Sequence, residues 1–186
     1  MKKLLFFFIF SVSIFAQSDV DFKYLQNVIS KDSIVRADFI QTKQMKSLEK
    51  PLVCDGKILA VKNKGVVWIL QNPAYLKKVI TFNDNSTRSE YAMLAPFFSG
   101  DFSILQKRFD CELTKNQNDW LLKITPKSAA IKRNVKYITI NSTLDNKFQE
   151  VFIFSADESF VRINFTSEIP TEQFLSQNEE LLFEQE

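Results

Sequence analysis

The sequence predicts a mainly β protein, an antiparallel meander of roughly eight or nine strands with a few helices. Apolar and polar residues alternate with a period of two over most of residues 35–165, which is typical of strands. Short polar turns, such as residues 62–65 and 83–85, separate the alternating segments. No repeat, linker or shift in composition divides the chain, which favours a single domain.

The elements follow from local pattern in chain order. Ser18 is a residue type that can cap a helix, and Phe22 and Leu25 recur at helical spacing, which predicts a helix over 18–30. Pro96 and Gly100 interrupt the apolar segment 93–102, which predicts a short helix and a loop there. A polar helix over 170–175 and an edge strand at 181–183 end the chain. Alternation predicts strands at 35–39, 52–60, 66–70, 76–82, 109–113, 120–125, 135–141, 148–154 and 160–165, and a weaker strand at 87–91.

Several strands are apolar at both alternating positions, notably 52–61, 66–70 and 151–154. A sheet with one wet face would alternate cleanly, so both faces of these strands need cover. A curved sheet with helices over its concave face meets this need and encloses an apolar cavity suited to lipid-like ligands. A packed interior filled by side chains is the alternative.

Composition excludes several classes of function. The 186 residues carry 24 Lys and Arg against 22 Asp and Glu, so no basic excess points to nucleic acid. Histidine is absent, which removes His-based catalysis and the usual zinc and haem ligands. Three glycines do not supply a phosphate-binding loop. No convergent set of carboxylates is evident, so we expect neither an enzyme, nor a metal, nor a cofactor.

The amino terminus has the order of a secretory signal peptide. Lys2 and Lys3 precede an apolar run through Phe15, and Ala16 is followed by polar residues. The run is shorter than the roughly 20 residues of a spanning helix. We therefore predict a signal peptide at 1–16 and a mature domain at 17–186; cleavage after Ser18 and an uncleaved anchor are the alternatives. An exported, periplasmic protein is expected.

The two cysteines leave two alternatives open. Cys54 and Cys111 lie far apart in sequence and form no Cys-x-x-Cys motif, so a metal or redox site is not indicated. A disulfide between them is compatible with an oxidising compartment, and two buried free thiols are equally compatible with the sequence.

Five groups of segments carry a resemblance to a known family: Phe39-Ile40-Gln41, residues 51–58, Gly65-Val66-Val67-Trp68 with Gln71-Asn72-Pro73, residues 120–127 and residues 135–140. They resemble segments of the periplasmic outer-membrane lipoprotein carriers of the LolA family. Their order and spacing agree over about 33–165, most of the mature chain. Asn63 and Lys64 stand where the family often has Arg-Pro, and residues 83–91 lack the Gly and Trp of its Asp-Gly-x-x-Leu-Trp strand.

The resemblance implies an unclosed antiparallel β-barrel covered by a helical lid, with an apolar cavity that receives acyl chains. It implies a soluble, monomeric carrier that takes lipoproteins from an inner-membrane ABC transporter to an outer-membrane receptor. Two alternatives remain: a divergent carrier of another lipid or glycolipid, and a lipid-sensing adaptor domain of the same fold.

On this interpretation the aromatic and aliphatic residues divide into a wall and a lid. Lys64 is a possible latch that donates to carbonyls of the lid. The predicted cavity wall is Phe39, Ile58, Trp68, Ile80, Phe82, Trp120 and Phe152, and the predicted lid is Met93, Leu94, Phe97, Phe98 and Phe102.

Overall fold

A computed structural model describes residues 22–23, 25–27, 34–81, 90–98, 102–143, 148–168 and 174–184. The predicted signal peptide lies outside these residues. The helices are α1, described at 22–23 and 25–27, α2 (Glu90–Phe98), α3 (Phe102–Arg108), α4 (Ala129–Lys132) and α5 (Gln177–Glu184). The strands are β1 (Ile34–Gln44), β2 (Leu52–Val61), β3 (Gly65–Asn72), β4 (Leu76–Thr81), β5 (Phe109–Lys115), β6 (Asp119–Pro126), β7 (Val135–Thr143), β8 (Phe148–Ser155) and β9 (Phe160–Glu168).

All nine described strands join one antiparallel sheet in the order β4-β3-β2-β1-β9-β8-β7-β6-β5. Consecutive strands pair with each other except β4 and β5, and β1 pairs in addition with the last strand, β9. The order ends at β4 and β5, so the sheet is not closed. The predicted fold class, an unclosed antiparallel sheet with helices, is confirmed.

The sheet has an inner face, which we define as the face covered by α1, α2 and α3. Directly opposed residues of antiparallel strands share a face, and the register therefore assigns each side chain. Trp68, Ile58 and Ala37 form one inner row across β3, β2 and β1. Leu122, Ile140 and Val151 form another across β6, β7 and β8. All six are buried, and they belong to one apolar cluster with the helices.

Helices α2 and α3 belong to the segment that connects β4 to β5, the two ends of the sheet. They are therefore the connection across the open side of the sheet, and we call them the lid. The predicted helix and loop at 93–102 is confirmed where it is described. The predicted strand at 87–91 is wrong at Glu90 and Tyr91, which are helical. Among the described residues, no helix is long and apolar enough to cross a membrane.

The outer face of β1 to β3 is covered by α5, not left to solvent. Ile34, Leu59 and Val67 are buried there, and Leu182 and Phe183 of α5 pack against them. The predicted edge strand at 181–183 is wrong, because these residues are helical. Apolar residues at both alternating positions of 58–61 in β2 and of β3 thus have cover on both faces, as their pattern predicted, whereas Leu52 and Val53 at the start of β2 are exposed.

A capping box begins α5 and also anchors it to the sheet. Ser176 Oγ accepts from Glu179 N at 3.3 Å, and Glu179 Oε2 accepts from Ser176 N at 2.8 Å. The same carboxylate accepts two bonds from Arg36 on β1, at 2.6 Å from Nε and 2.9 Å from the terminal nitrogen. These bonds hold the pKa of Glu179 well below its ordinary value, at about 2, chiefly through Arg36.

We predict that the attachment of α5 weakens in acid. The folded pKa of Glu179 is lowered to about 2 from 4.5, so its stabilisation is complete above about pH 5 and is lost as the pH falls towards 2. For this partly exposed pair we expect a contribution of roughly 1–2 kcal/mol to the free energy of unfolding at neutral pH. Urea unfolding of wild type and of Glu179→Gln at pH 6 and at pH 3 measures this contribution, because the difference in stability between the two proteins should shrink at pH 3.

The matched control is Glu180→Gln, which removes the neighbouring exposed carboxylate of the same helix. It should leave the pH dependence of unfolding as in wild type. An equal loss of stability at both pH values in Glu179→Gln would contradict the predicted role of this carboxylate.

Gly56 on β2 allows an aromatic ring to lie against the backbone of the inner face. A Cβ at this position would overlap the Ile69 carbonyl oxygen of β3 and lie 2.6 Å from Phe39 Cζ. Neither neighbour moves freely, because Phe39 is buried against the Trp68 ring at a centroid distance of 4.7 Å. The glycine is therefore a packing requirement.

We predict that Gly56→Ala lowers the free energy of unfolding by about 1–3 kcal/mol through overpacking. Urea denaturation measures the loss. Val53→Ala, at an exposed position of the same strand, should change it by no more than about 0.5 kcal/mol. A Gly56→Ala protein as stable as wild type would show that β2 and β3 separate without cost.

Candidate functional site

The inner face carries two aromatic centres. Trp68 and Phe39 form one on β3 and β1, and Trp120 lies at the start of β6. Both tryptophans are almost fully buried. Five predicted wall residues are buried on this face: Phe39, Ile58, Trp68, Ile80 and Trp120. Phe82, a sixth, lies outside the described residues.

Phe152 was predicted in the wall, and this prediction is wrong. Its β9 partner is Arg162, whose guanidinium lies 5.3 Å from the Phe152 ring centroid on the outer face. The flanking Val151 and Ile153 point inward and are fully buried. The run 151–154 is apolar at every position, so alternation did not decide its direction. The register with β9 decides it, because Arg162 separates two inward residues, Val161 and Ile163.

Phe148 is an inner aromatic residue that the sequence analysis missed. It is buried and lies 6.4 Å from Trp120 and 5.5 Å from Phe97, measured between ring centroids. A β-bulge turns it inward. Asn141 pairs with Glu150 but Ser142 pairs with Phe148, so Gln149 is the extra residue on β8. Simple alternation from Val151 would have turned Phe148 outward.

The lid packs its apolar side chains onto this floor. The Phe97 ring is fully buried and lies 6.3 Å from Trp120, and Phe98 lies 6.0 Å from Phe148. Phe102 of α3 contacts both Phe97 and Phe22 of α1. All five predicted lid residues are buried in the inner cluster: Met93, Leu94, Phe97, Phe98 and Phe102.

The structure gives Lys64 a contact away from the lid. Its Nζ lies 4.8 Å from the centroid of the Phe183 ring of α5, a cation–π contact. Lys64 lies in the β2–β3 turn, and α5 packs on the outer face of these strands. Among the described residues, Lys64 therefore helps to hold α5, and the predicted latch to the lid is wrong.

Both cysteines are free thiols in the structure. Of the two alternatives that the sequence left open, the structure therefore has two free thiols and not a disulfide. Cys54 on β2 and Cys111 on β5 are part-buried at the margin of the inner cluster. Five strands separate β2 from β5 in the sheet. Burial raises the pKa of Cys111 to about 11, which keeps it as an unreactive thiol at neutral pH.

Few polar groups reach the inner face. Gln41 and Ser142 are buried there among apolar neighbours. Within the described ranges, Ser142 Oγ and Trp120 Nε1 have no hydrogen-bond partner. No group of three or more His, Cys, Asp or Glu side chains within those ranges is arranged to hold a metal ion. The chemistry of this face is therefore burial of apolar matter, with two polar atoms at one point.

No family model matches the sequence, and no curated protein matches it. Solved structures do match. A domain described as an outer membrane lipoprotein-sorting protein domain from Vibrio parahaemolyticus shares 10% identity with a TM-score of 0.46, over 87% of this chain and 97% of its own. A LolA superfamily protein from Nitrosomonas europaea shares 5% identity with a TM-score of 0.42, over 82% and 93%.

MucB in the Pseudomonas aeruginosa MucA/MucB complex shares 14% identity with a TM-score of 0.46, over 86% of this chain and 61% of its own. One of these structures thus belongs to the LolA superfamily, the family that the sequence resembles. At such identities and TM-scores the similarities concern the path of the chain and carry no conclusion about cargo or partner.

Proposed function

We propose that this protein is an exported carrier that binds the acyl chains of lipoproteins between the inner face and the lid. It would collect its cargo from an ABC transporter at the inner membrane and deliver it to a receptor at the outer membrane. One observation carries the proposal: helices that connect the two ends of an unclosed sheet fill its apolar inner face with phenylalanine side chains.

The first step is energetic. An acyl chain in water is costly, by about 0.8 kcal/mol for each CH₂ group that is not buried. The inner face offers aliphatic rows and two aromatic centres where such a chain would be removed from water. The inner rows of β6, β7 and β8 contain no charged side chain, so an acyl chain that lies on them buries no charge. These rows are Leu122–Ile140–Val151 and Ile124–Ile138–Ile153.

The second step concerns reversibility. A carrier must release its cargo, and the lid supplies the competing occupant. Phe97 and Phe98 make the contacts with Trp120 and Phe148 that an acyl chain would make. Cargo entry exchanges one set of apolar contacts for another, so the net free energy is smaller than that of either set. Exchange of this kind suits transfer between membranes.

The proposal is for a binding protein and not for an enzyme. The absence of histidine from the sequence supports it, because the most common general acid and base is missing. The amino-terminal pattern of Lys2, Lys3 and the apolar run supports export to the periplasm. A carrier of another acylated lipid or glycolipid uses the same site, and identification of the bound cargo distinguishes the two.

The direct experiment is mass spectrometry of organic extracts from the periplasmic protein, purified without detergent. A stoichiometric lipid, or an acylated protein that copurifies, supports a carrier and names its cargo. A blank extract, together with no binding of a fluorescent palmitoyl lysophospholipid, would refute it. The adaptor alternative would then be favoured.

We predict that Phe97→Leu increases affinity for the palmitoyl probe. Leucine keeps the position apolar but removes the ring contacts with Trp120 and Phe148, which favours the open lid by about 1 kcal/mol. A larger population of protein with an open lid, which is the form that can bind the probe, raises the apparent affinity, here by about fivefold. Fluorescence titration of wild type and variant measures the change.

The control is Val67→Ala, which removes methyl groups from a fully buried residue on the outer face, beneath α5. It lowers stability without touching the lid, so probe affinity should stay at the wild-type value. An equal gain in affinity in both variants would mean that the probe binds to generally loosened protein.

A further inference from the structure

We infer that Trp120 Nε1 and Ser142 Oγ bind the carbonyl oxygen of an acyl group, as an ester or an amide, and so fix the head end of the chain. This inference rests on the proposed function. It adds a polar anchor and a direction to what is otherwise an apolar site, and it makes the site selective among chains of equal length.

The two residues face each other on neighbouring strands. Trp120 on β6 is the register partner of Ser142 on β7, and Ser142 is the partner of Phe148 on β8. Opposed residues of antiparallel strands share a face with Cβ atoms about 5 Å apart. Trp120 and Ser142 therefore project from neighbouring positions of the inner face, in one row that Phe148 completes.

Both polar atoms are buried and lack a partner. Trp120 is 1% exposed and Ser142 is 0% exposed, and neither Nε1 nor Oγ has a hydrogen-bond partner within the described part of the chain. A buried polar group without a partner costs about 1–3 kcal/mol, so such groups are rare without a reason. Two on adjacent strands at one point indicate a common ligand atom.

The row lies at one end of the sheet, next to the β5–β6 turn. Trp120 is the second residue of β6, after the exposed turn residues 116–118, and Ser142 is next to the last residue of β7. The rows that follow inward are wholly aliphatic. Polarity therefore falls from the turn into the sheet, which matches an acyl lipid whose head stays near solvent and whose tail lies inside.

The donors select the class of ligand atom. The indole N–H only donates, and the serine hydroxyl donates or accepts, so together they supply two donors to one oxygen. A neutral carbonyl oxygen has two lone pairs and fits both. A carboxylate would bring a charge into an apolar site, which is far more costly to bury. Phe97 covers Trp120, and its displacement by cargo opens the anchor.

The test compares two lysophospholipids that differ by one carbonyl oxygen, 1-palmitoyl and 1-O-hexadecyl lysophosphatidylcholine. We expect the full exported protein to bind the ester about five- to tenfold more tightly than the ether, the value of one or two net hydrogen bonds. Ser142→Ala and Trp120→Phe should each reduce the ratio of ester to ether affinity, whatever either substitution does to the affinity for both lipids together. N-Palmitoylethanolamine tests the amide carbonyl in the same titration.

A spectroscopic readout keeps the inference separate from folding. The sequence has two tryptophans, so ¹⁵N-indole spectra show two N–H signals, and Trp120→Phe assigns one of them. The Trp120 signal should move downfield with the ester and less with the ether. Ser167→Ala, an exposed hydroxyl on β9 that bonds Asp38, is the control and should keep the preference of wild type.

The outcomes separate the two proposals. Equal affinity for ester and ether in wild type, with no ester-specific shift of the Trp120 signal, overturns the proposed anchor but not the proposed carrier function. This result is expected if a bound water is the partner of both polar atoms. Binding of neither lipid overturns the carrier, and the anchor with it. An ester preference that survives both substitutions places the anchor elsewhere and overturns it.

Discussion

The structure depends on one constraint: the sheet does not close on itself, and its inner face and the outer face of β1 to β3 are both apolar. Apolar surface that is left in water costs free energy in proportion to its area. The chain meets this constraint with helices on each side. The lid belongs to the connection between β4 and β5, the two ends of the sheet, and covers the inner face. Helix α5 covers the outer face of β1 to β3.

The two covers differ in the forces that attach them. Helix α5 is held by directional bonds, the paired hydrogen bonds of Arg36 with Glu179 and the contact of Lys64 with Phe183. The contacts described between α2 and the inner face are ring-to-ring and aliphatic. The end of α3, in contrast, accepts a hydrogen bond from Lys127 Nζ at the Gln106 carbonyl, at 2.6 Å. Apolar contacts have little directional preference, so another apolar group replaces them at little cost. This difference favours α2 as the part of the lid that yields to a ligand.

The sequence predicted what depends on local pattern. Strands with a period of two and the helical interruption at 93–102 are predictable, because each depends on a pattern within about ten consecutive residues. What depends on pairing was not predictable. The direction of Phe152 is set by Arg162 on the next strand, and that of Phe148 by a bulge at Gln149. Ser176 and Glu179 have the spacing of a capping box, which is a sequence signal for the start of α5.

Ser142 shows why the most informative site residue escaped sequence reasoning. It follows Asn141 in a strand with ordinary alternation, and a serine near a turn is most often solvated. Only the register shows that Ser142 is opposed to Trp120 on the inner face, where both residues are buried. A packed core would be more stable with phenylalanine in place of Trp120 and alanine in place of Ser142, because neither replacement buries a polar atom without a partner. Their presence beside the aliphatic rows of β6 to β8 is better explained by an oxygen that arrives with a ligand.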